Sequence, residues 1–114
     1  MKLLVTGGLG FIGSNFIHRI LKEKPDIEIL NIDAQLDGSN IKNLESLENS
    51  ENYEFVKGNI SNKKFMEEQI SKCDAVVNFA AETHVDRSIN DANPFLISNI
   101  RGVFTILDII TKQK

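Results

Sequence analysis

Four glycines and one carboxylate carry the clearest chemistry in this 114-residue chain. The run Thr6-Gly7-Gly8-Leu9-Gly10-Phe11-Ile12-Gly13-Ser14 holds two overlapping spacings. Gly8, Gly10 and Gly13 spell GxGxxG, while Gly7, Gly10 and Gly13 spell GxxGxxG. Without Cβ atoms the backbone can turn tightly, a pyrophosphate can come close, and a following helix can pack against the preceding strand. The unpaired N–H groups of that helix's first turn, together with its dipole, favour phosphate. Asp33 lies 20 residues beyond Gly13, where a carboxylate would accept hydrogen bonds from an adenosine ribose. The same charge would repel a 2′-phosphate, which favours NAD over NADP. Glycine spacing alone fits an ordinary turn equally well, so its context decides.

That context is a strand, a turn, a helix and a second strand. Leu3–Val5 is a short apolar strand. Helix one runs from about Gly10 to Lys24, with Phe16, Ile17, Ile20 and Leu21 on one face. Pro25 ends it, because the residue before a proline avoids helical geometry. Glu28–Asp33 is strand two. Asp37-Gly38-Ser39-Asn40 reads as a turn before a short helix marked by Ile41, Leu44 and Leu47, and Glu48–Asn52 as a polar loop. Tyr53–Gly58 alternates as strand three, and Ser61 is expected to cap a helix reaching about Ser71, with Phe65, Met66 and Ile70 inward. Asp74–Ala80 is a continuous apolar strand four of the kind buried in parallel sheets. A last helix begins near Asn93-Pro94, marked by Phe95, Ile100, Val103, Phe104, Leu107 and Ile110. Alternating strands and helices predict an α/β, doubly wound, Rossmann-like parallel sheet of order 3-2-1-4. Ligands then bind at the switch point between strands one and four, where the glycine turn meets Ala80-Ala81-Glu82-Thr83-His84. No strand follows strand four, so residues 1–114 read as the N-terminal portion of a longer protein, with strand four left at an open edge.

Composition narrows the alternatives. Apolar residues make 41% and charged residues 25% of the chain, the balance of a soluble globular domain with a modest core. A net charge of −3 provides no basic surface for nucleic acid and no polybasic membrane patch. No apolar run approaches the roughly 18 residues of a membrane span, and no signal peptide precedes the first strand. The single cysteine, Cys73, excludes an intrachain disulfide and a cysteine-rich metal site, and reads as a structural thiol. The expectation is a cytoplasmic protein without a metal. His18 is expected to be merely exposed.

The second informative stretch is Asn78-Phe79-Ala80-Ala81-Glu82-Thr83-His84-Val85-Asp86-Arg87-Ser88-Ile89. Small alanines past a strand let the backbone approach a ligand, and the polar residues after them stand where a substrate would arrive. By spacing alone the same residues also fit a strand-to-helix loop with Asp86 or Ser88 as cap and solvated charges.

Here the chain resembles a known family. Its glycine turn looks like that of extended short-chain dehydrogenase/reductases, and Ala80–Ile89 closely resembles the signature of dTDP-glucose 4,6-dehydratases, with Thr83 where serine is usual. Asn99-Ile100-Arg101-Gly102 resembles that family's opening of the same helix. The resemblance implies NAD as cofactor, a nucleotide-sugar substrate, oxidation at C4, loss of water across C5–C6 and hydride return to C6. It implies cofactor contacts from Gly7, Gly10, Phe11, Ile12 and Gly13 at the pyrophosphate, and from Asp33, Ala34, Gln35 and Leu36 at the ribose. Asn59 and Ile60 would lie at the adenine. Phe79, Ala80, Ala81, Glu82 and Thr83 would run under the ribose and nicotinamide, with Ser98 also facing the cofactor and Thr83 touching the sugar. Asn59 stands where the family carries aspartate, with its carbonyl expected to pair with the adenine amino group. Gln35–Asn40 also departs from the family's Leu-Thr-Tyr-Ala-Gly-Asn. The catalytic Tyr-x-x-x-Lys pair and acid pair of such enzymes have no counterpart, so no catalytic residue is assigned and the chain alone is expected to be inactive. Tyr53 and Lys57 share that spacing, but in strand three they read as coincidence. A related epimerase or decarboxylase, and a non-catalytic dinucleotide-binding module, are the competing readings. The last helix has two assignments, a homodimer interface through Phe104, Leu107 and Ile110 or a cover for strand four.

Overall fold

A computed structural model of the chain describes residues 1–35, 40–80 and 101–113. Strands β1 (Lys2–Thr6), β2 (Glu28–Asp33), β3 (Tyr53–Lys57) and β4 (Ala75–Asn78) form one parallel sheet in the order β3-β2-β1-β4. Helix α1 (Phe11–Glu23) connects β1 to β2, and α2 (Lys63–Ser71) connects β3 to β4. Helix α3 (Gly102–Gln113) follows. The predicted order and winding therefore stand.

Burial on both faces explains why the strands read as apolar runs. On one face Leu3, Val5 and Ile29 pack with Leu9, with Ile17 of α1, and with Leu44. On the other, Leu4, Leu30 and Ile32 pack with Ile60, with Met66 and Ile70 of α2, and with Ile106 and Ile109 of α3. Cys73 is buried in this second cluster, just ahead of β4. Helix α1 stops as expected before Pro25, with Lys24 as C-cap donating its N–H to the Ile20 carbonyl at 2.9 Å.

Several local expectations are corrected. The N-cap of α2 is Asn62, whose side chain accepts from the Phe65 N–H at 3.2 Å. Ser61 is occupied otherwise: its N–H and hydroxyl both donate to Asn59 Oδ1, at 2.9 and 2.8 Å. The short helix after Asn40 is a 3-10 segment, Ile41–Leu47, broken by non-helical geometry at Leu44. Of its three apolar markers Leu44 alone is fully buried, and Ile41 is exposed. Strand four is shorter than its apolar run, because Phe79 and Ala80 leave the ladder. In α3 the buried face is Gly102, Thr105, Ile106 and Ile109. Phe104 and Leu107 are exposed, so they do not cover strand four, whereas Ile110 does pack on the core. His18 is half-buried, its Nε2 lying 2.8 Å from the Asn43 carbonyl. The expected turn at Asp37–Ser39 and the expected start of the last helix lie outside the described residues.

Candidate dinucleotide site

The strand registers bring the carboxyl ends of β1, β2 and β4 level, since Thr6 faces both Ile32 and Asn78. Beyond that line the Gly7 N–H donates to the Ile32 carbonyl (2.8 Å), and the Phe79 N–H donates to the Thr6 carbonyl (2.9 Å). Thr6 is fully buried. Its hydroxyl donates to Asn78 Oδ1 and accepts from the Ala80 N–H at 3.3 Å, tying the glycine turn to the end of β4.

The glycines divide into two kinds. Gly7 has φ +70°, and a Cβ there would stand 2.5 Å from the Ala80 nitrogen and 2.7 Å from its Cα. A Cβ on Gly8 would enter the Asn31 side chain, and one on Gly13 would enter the Gly7 carbonyl and lie 2.9 Å from Gly8 Cα. These three are required by the fold. Gly10 is different. Its φ of −75° suits any residue, and among the described residues a Cβ there would meet only the Gly7 oxygen, at an ordinary 3.4 Å. Gly10 is the N-cap of α1 and offers no side-chain cap. Among the described residues nothing else borders the space a Cβ would fill at this helix N-terminus, which fits an approaching phosphate.

The turn's own N–H groups are accounted for one by one. Gly7 donates to Ile32 and Gly10 donates to Gly7 at 3.2 Å. Gly8 donates to Asn31 Oδ1 and Leu9 to Asp33 Oδ2, both at 3.0 Å. Ser14 donates to Gly10 at 2.9 Å. The N–H groups of Phe11, Ile12 and Gly13 have no acceptor among the described residues. Phe11 and Ile12 carry exposed side chains, while Gly13 is buried against Gly7.

Asp33 is buried at the end of β2, and both of its oxygens are engaged. Oδ2 accepts from Leu9, while Oδ1 accepts from the Gln35 N–H at 2.6 Å. Each oxygen keeps a further lone pair for a ribose hydroxyl. Gln35, exposed, has the left-handed φ of +58°, a strained setting for a residue with a Cβ. Ala34 beside it is half-buried.

The remaining expected residues divide by depth. Asn59 is exposed, but its carbonyl oxygen is turned into its own loop, which leaves the amide nitrogen for a ligand. Ile60 is a core residue. Phe79 is half-buried and packs its ring on Phe16 of α1 (centroids 5.3 Å apart), and Ala80 is half-buried against the other core face. Leu36, Ala81, Glu82, Thr83 and Ser98 lie outside the described residues, as do His84, Asp86, Arg87 and Ser88. Tyr53 and Lys57 stand on β3, at the opposite edge of the sheet from β4.

Asn31, Thr6 and Asn78 were given no role by sequence spacing. Asn31 had a visible signal, being the one polar residue inside Ile29-Leu30-Asn31-Ile32, and a buried amide needs partners. Its Nδ2 donates to the Tyr53 hydroxyl at 3.0 Å. Burial is the main reason that the Tyr53 phenol titrates above the ordinary tyrosine range; Asn31 opposes the shift and Asp33 adds to it. Among the described residues no cluster of three metal-ligating side chains occurs, and no helix is long and apolar enough to cross a membrane.

Residues 4–114 match the family model described as GDP-mannose 4,6 dehydratase. The chain is 43% identical over 108 residues to the low-salt glycan biosynthesis protein Agl12 of Haloferax volcanii, covering 95% of this chain and 34% of that protein. It is 39% identical over 113 residues to the dTDP-glucose 4,6-dehydratase of Mycobacterium tuberculosis, covering 99% and 34%. The crystal structure of dTDP-glucose 4,6-dehydratase from Bacillus anthracis in complex with NAD superposes with a TM-score of 0.86 at 40% identity, covering 99% of this chain and 34% of that one. The chain thus spans about a third of the length of the relatives it matches.

Proposed function

The chain belongs to the GDP-mannose 4,6 dehydratase family, and from that membership we propose that it forms the NAD-binding part of a nucleotide-sugar 4,6-dehydratase acting on dTDP-glucose. In this reading residues 1–114 are a single NAD-binding domain, the N-terminal portion of the enzyme, and the groups that move protons on the sugar belong to the remainder. NAD, when bound, supplies the hydride acceptor and donor. The residues of this chain bind and orient it. The N–H groups of Phe11, Ile12 and Gly13, which have no acceptor among the described residues, take the pyrophosphate over Gly10. Asp33 takes the ribose hydroxyls, with Ala34, Gln35 and Leu36 beside it. Asn59 and the Ile60 backbone border the adenine. Phe79, Ala80, Ala81, Glu82, Thr83 and Ser98 line the nicotinamide half, and the Thr83 hydroxyl reaches the sugar. The relatives' names support the substrate class. The setting this implies is a cytoplasmic enzyme supplying sugars for polysaccharide biosynthesis, and exposed Phe104 and Leu107 on α3 support a homodimer.

The observation that carries the reading is Gly10, a glycine that no close contact among the described residues requires, at a helix N-terminus without a side-chain cap. Calorimetric titration of the chain with NAD and NADP tests it. Saturable NAD binding, with NADP at least about tenfold weaker because its 2′-phosphate meets Asp33, is expected. A folded chain that binds neither would overturn the assignment. With dTDP-glucose and NAD, the chain alone is expected to form no 4-keto product.

A further inference from the structure

Strand β2 faces the glycine turn with two polar side chains in alternation, Asn31 and Asp33. They capture the consecutive N–H groups of Gly8 and Leu9. Asn31 is fully buried, its oxygen on Gly8 and its nitrogen on the Tyr53 hydroxyl. The absence of a Cβ on Gly8 is what lets the Asn31 amide sit against the turn. With the N–H groups of residues 7 to 10 all bound internally, those of Phe11, Ile12 and Gly13 are the ones left without an acceptor among the described residues. The amide of Asn31 therefore helps decide which donors face the ligand, without reaching the surface itself.

Resting on the NAD-binding reading above, we propose that Asn31, anchored by Tyr53, is a positioning residue that presets the glycine turn for the dinucleotide pyrophosphate. A leucine at 31 would leave the Gly8 N–H without its acceptor and free the turn to rotate toward other partners. A phenylalanine at 53 would keep the Gly8 bond but remove the anchor of the amide, which could then turn. A positioning role separates from general packing because it acts on the pyrophosphate and not on the adenosine end, which Asp33 and its neighbours hold.

The test compares the wild-type chain with Asn31→Leu, Tyr53→Phe and the double variant, titrating NAD and adenosine. Amide exchange at Gly8 and Leu4 is followed by NMR. Asn31→Leu should weaken NAD about tenfold, the scale of one lost buried hydrogen bond, with adenosine unchanged. Tyr53→Phe should weaken NAD severalfold, and the double variant should be no worse than Asn31→Leu, as expected of residues acting in one chain of contacts. The Gly8 amide should exchange at least about tenfold faster in Asn31→Leu, and severalfold faster in Tyr53→Phe, while Leu4 in β1 keeps its protection. If Asn31→Leu does not fold, Tyr53→Phe provides the same two readouts. Wild-type NAD affinity in a folded variant, or equal losses for NAD and adenosine, would overturn the proposal. A wild-type chain that binds adenosine but not NAD would instead overturn the cofactor reading beneath it.

Discussion

Replacing Gly10 by alanine separates a glycine kept for a ligand from glycines kept for the fold. At Gly10 the backbone is in a region open to every residue, and among the described residues the new methyl group meets one oxygen, at 3.4 Å. Alanine is a somewhat poorer N-cap than glycine, yet it restricts the unfolded chain, effects of about 0.5–1 kcal/mol that oppose each other. The stability of Gly10→Ala should therefore stay within about 1 kcal/mol of wild type. Gly7→Ala is the contrast. A left-handed alanine costs about 1–2 kcal/mol, and forcing its methyl into the Ala80 backbone at 2.5–2.7 Å adds about 1–3 kcal/mol of overpacking. The sum, roughly 2–5 kcal/mol, is a large share of the 5–15 kcal/mol that holds an ordinary domain together. Urea unfolding followed by circular dichroism measures both, and NAD calorimetry completes the comparison. For Gly10→Ala the expected result is a wild-type unfolding midpoint with NAD binding weakened at least about tenfold, or 1.4 kcal/mol. Unchanged NAD affinity would refute the argument that a phosphate uses the space above Gly10. A loss of stability equal to that of Gly7→Ala would show that the fold does need this glycine.

Other expectations follow from single contacts. Asn59→Asp should tighten NAD binding about two- to tenfold, because one carboxylate oxygen can serve the Ser61 turn while the other accepts from the adenine amino group; calorimetry reads it, and unchanged affinity counts against Asn59 as the adenine neighbour. Tyr53 is the only tyrosine, so ultraviolet titration isolates it. Its folded pKa is raised chiefly by burial, so phenolate should appear above the pH range of an unfolded control. The associated stability is complete below the unfolded tyrosine pKa and declines as pH rises through the folded one. Asp108 accepts from Lys112 Nζ at 3.0 Å and lies 3.6 Å from Lys63, across α2 and α3. Lys112's hydrogen bond leads in holding its carboxyl below the ordinary aspartate range, so the small support it lends should be present at neutral pH and fade as pH falls through that lowered value. Thermal melts of wild type and Asp108→Asn should converge at acid pH and at high salt.

The architecture was legible because periodicity and burial are the same fact seen twice. Apolar runs such as Leu3–Val5 and Ile29–Ile32 are apolar because both sheet faces are covered, and Pro25 ends α1 for a local steric reason. Elements whose geometry depends on neighbours were less legible. Both Ser61 and Asn62 can cap a helix, and the choice fell to Asn62 once Asn59 had taken up the Ser61 hydroxyl. Helix α3 carries apolar residues on more than one face. Packing against β1, β2 and α2 selected Ile106 and Ile109 for the core and left Phe104 and Leu107 outside. His18 looked solvated until the 3-10 segment brought the Asn43 carbonyl to it.

The same division runs through the site. The residue order by itself determined that a strand, a glycine turn, a helix and a second strand ending in an acid would follow one another, since each depends on local conformation and on spacing along one chain. It also located the end of strand four beside the turn, through the winding rule for parallel sheets. What each glycine is for was decided only in three dimensions. Gly7, Gly8 and Gly13 answer to atoms of Ala80, Asn31 and Gly7 itself, two of them far away in sequence, while among the described residues Gly10 meets only the Gly7 oxygen at an ordinary distance. The roles of Asn31 and Asp33 as holders of the turn were likewise settled by the tertiary structure, because a hydrogen bond between residues 23 or 24 positions apart exists only once β1 and β2 have paired.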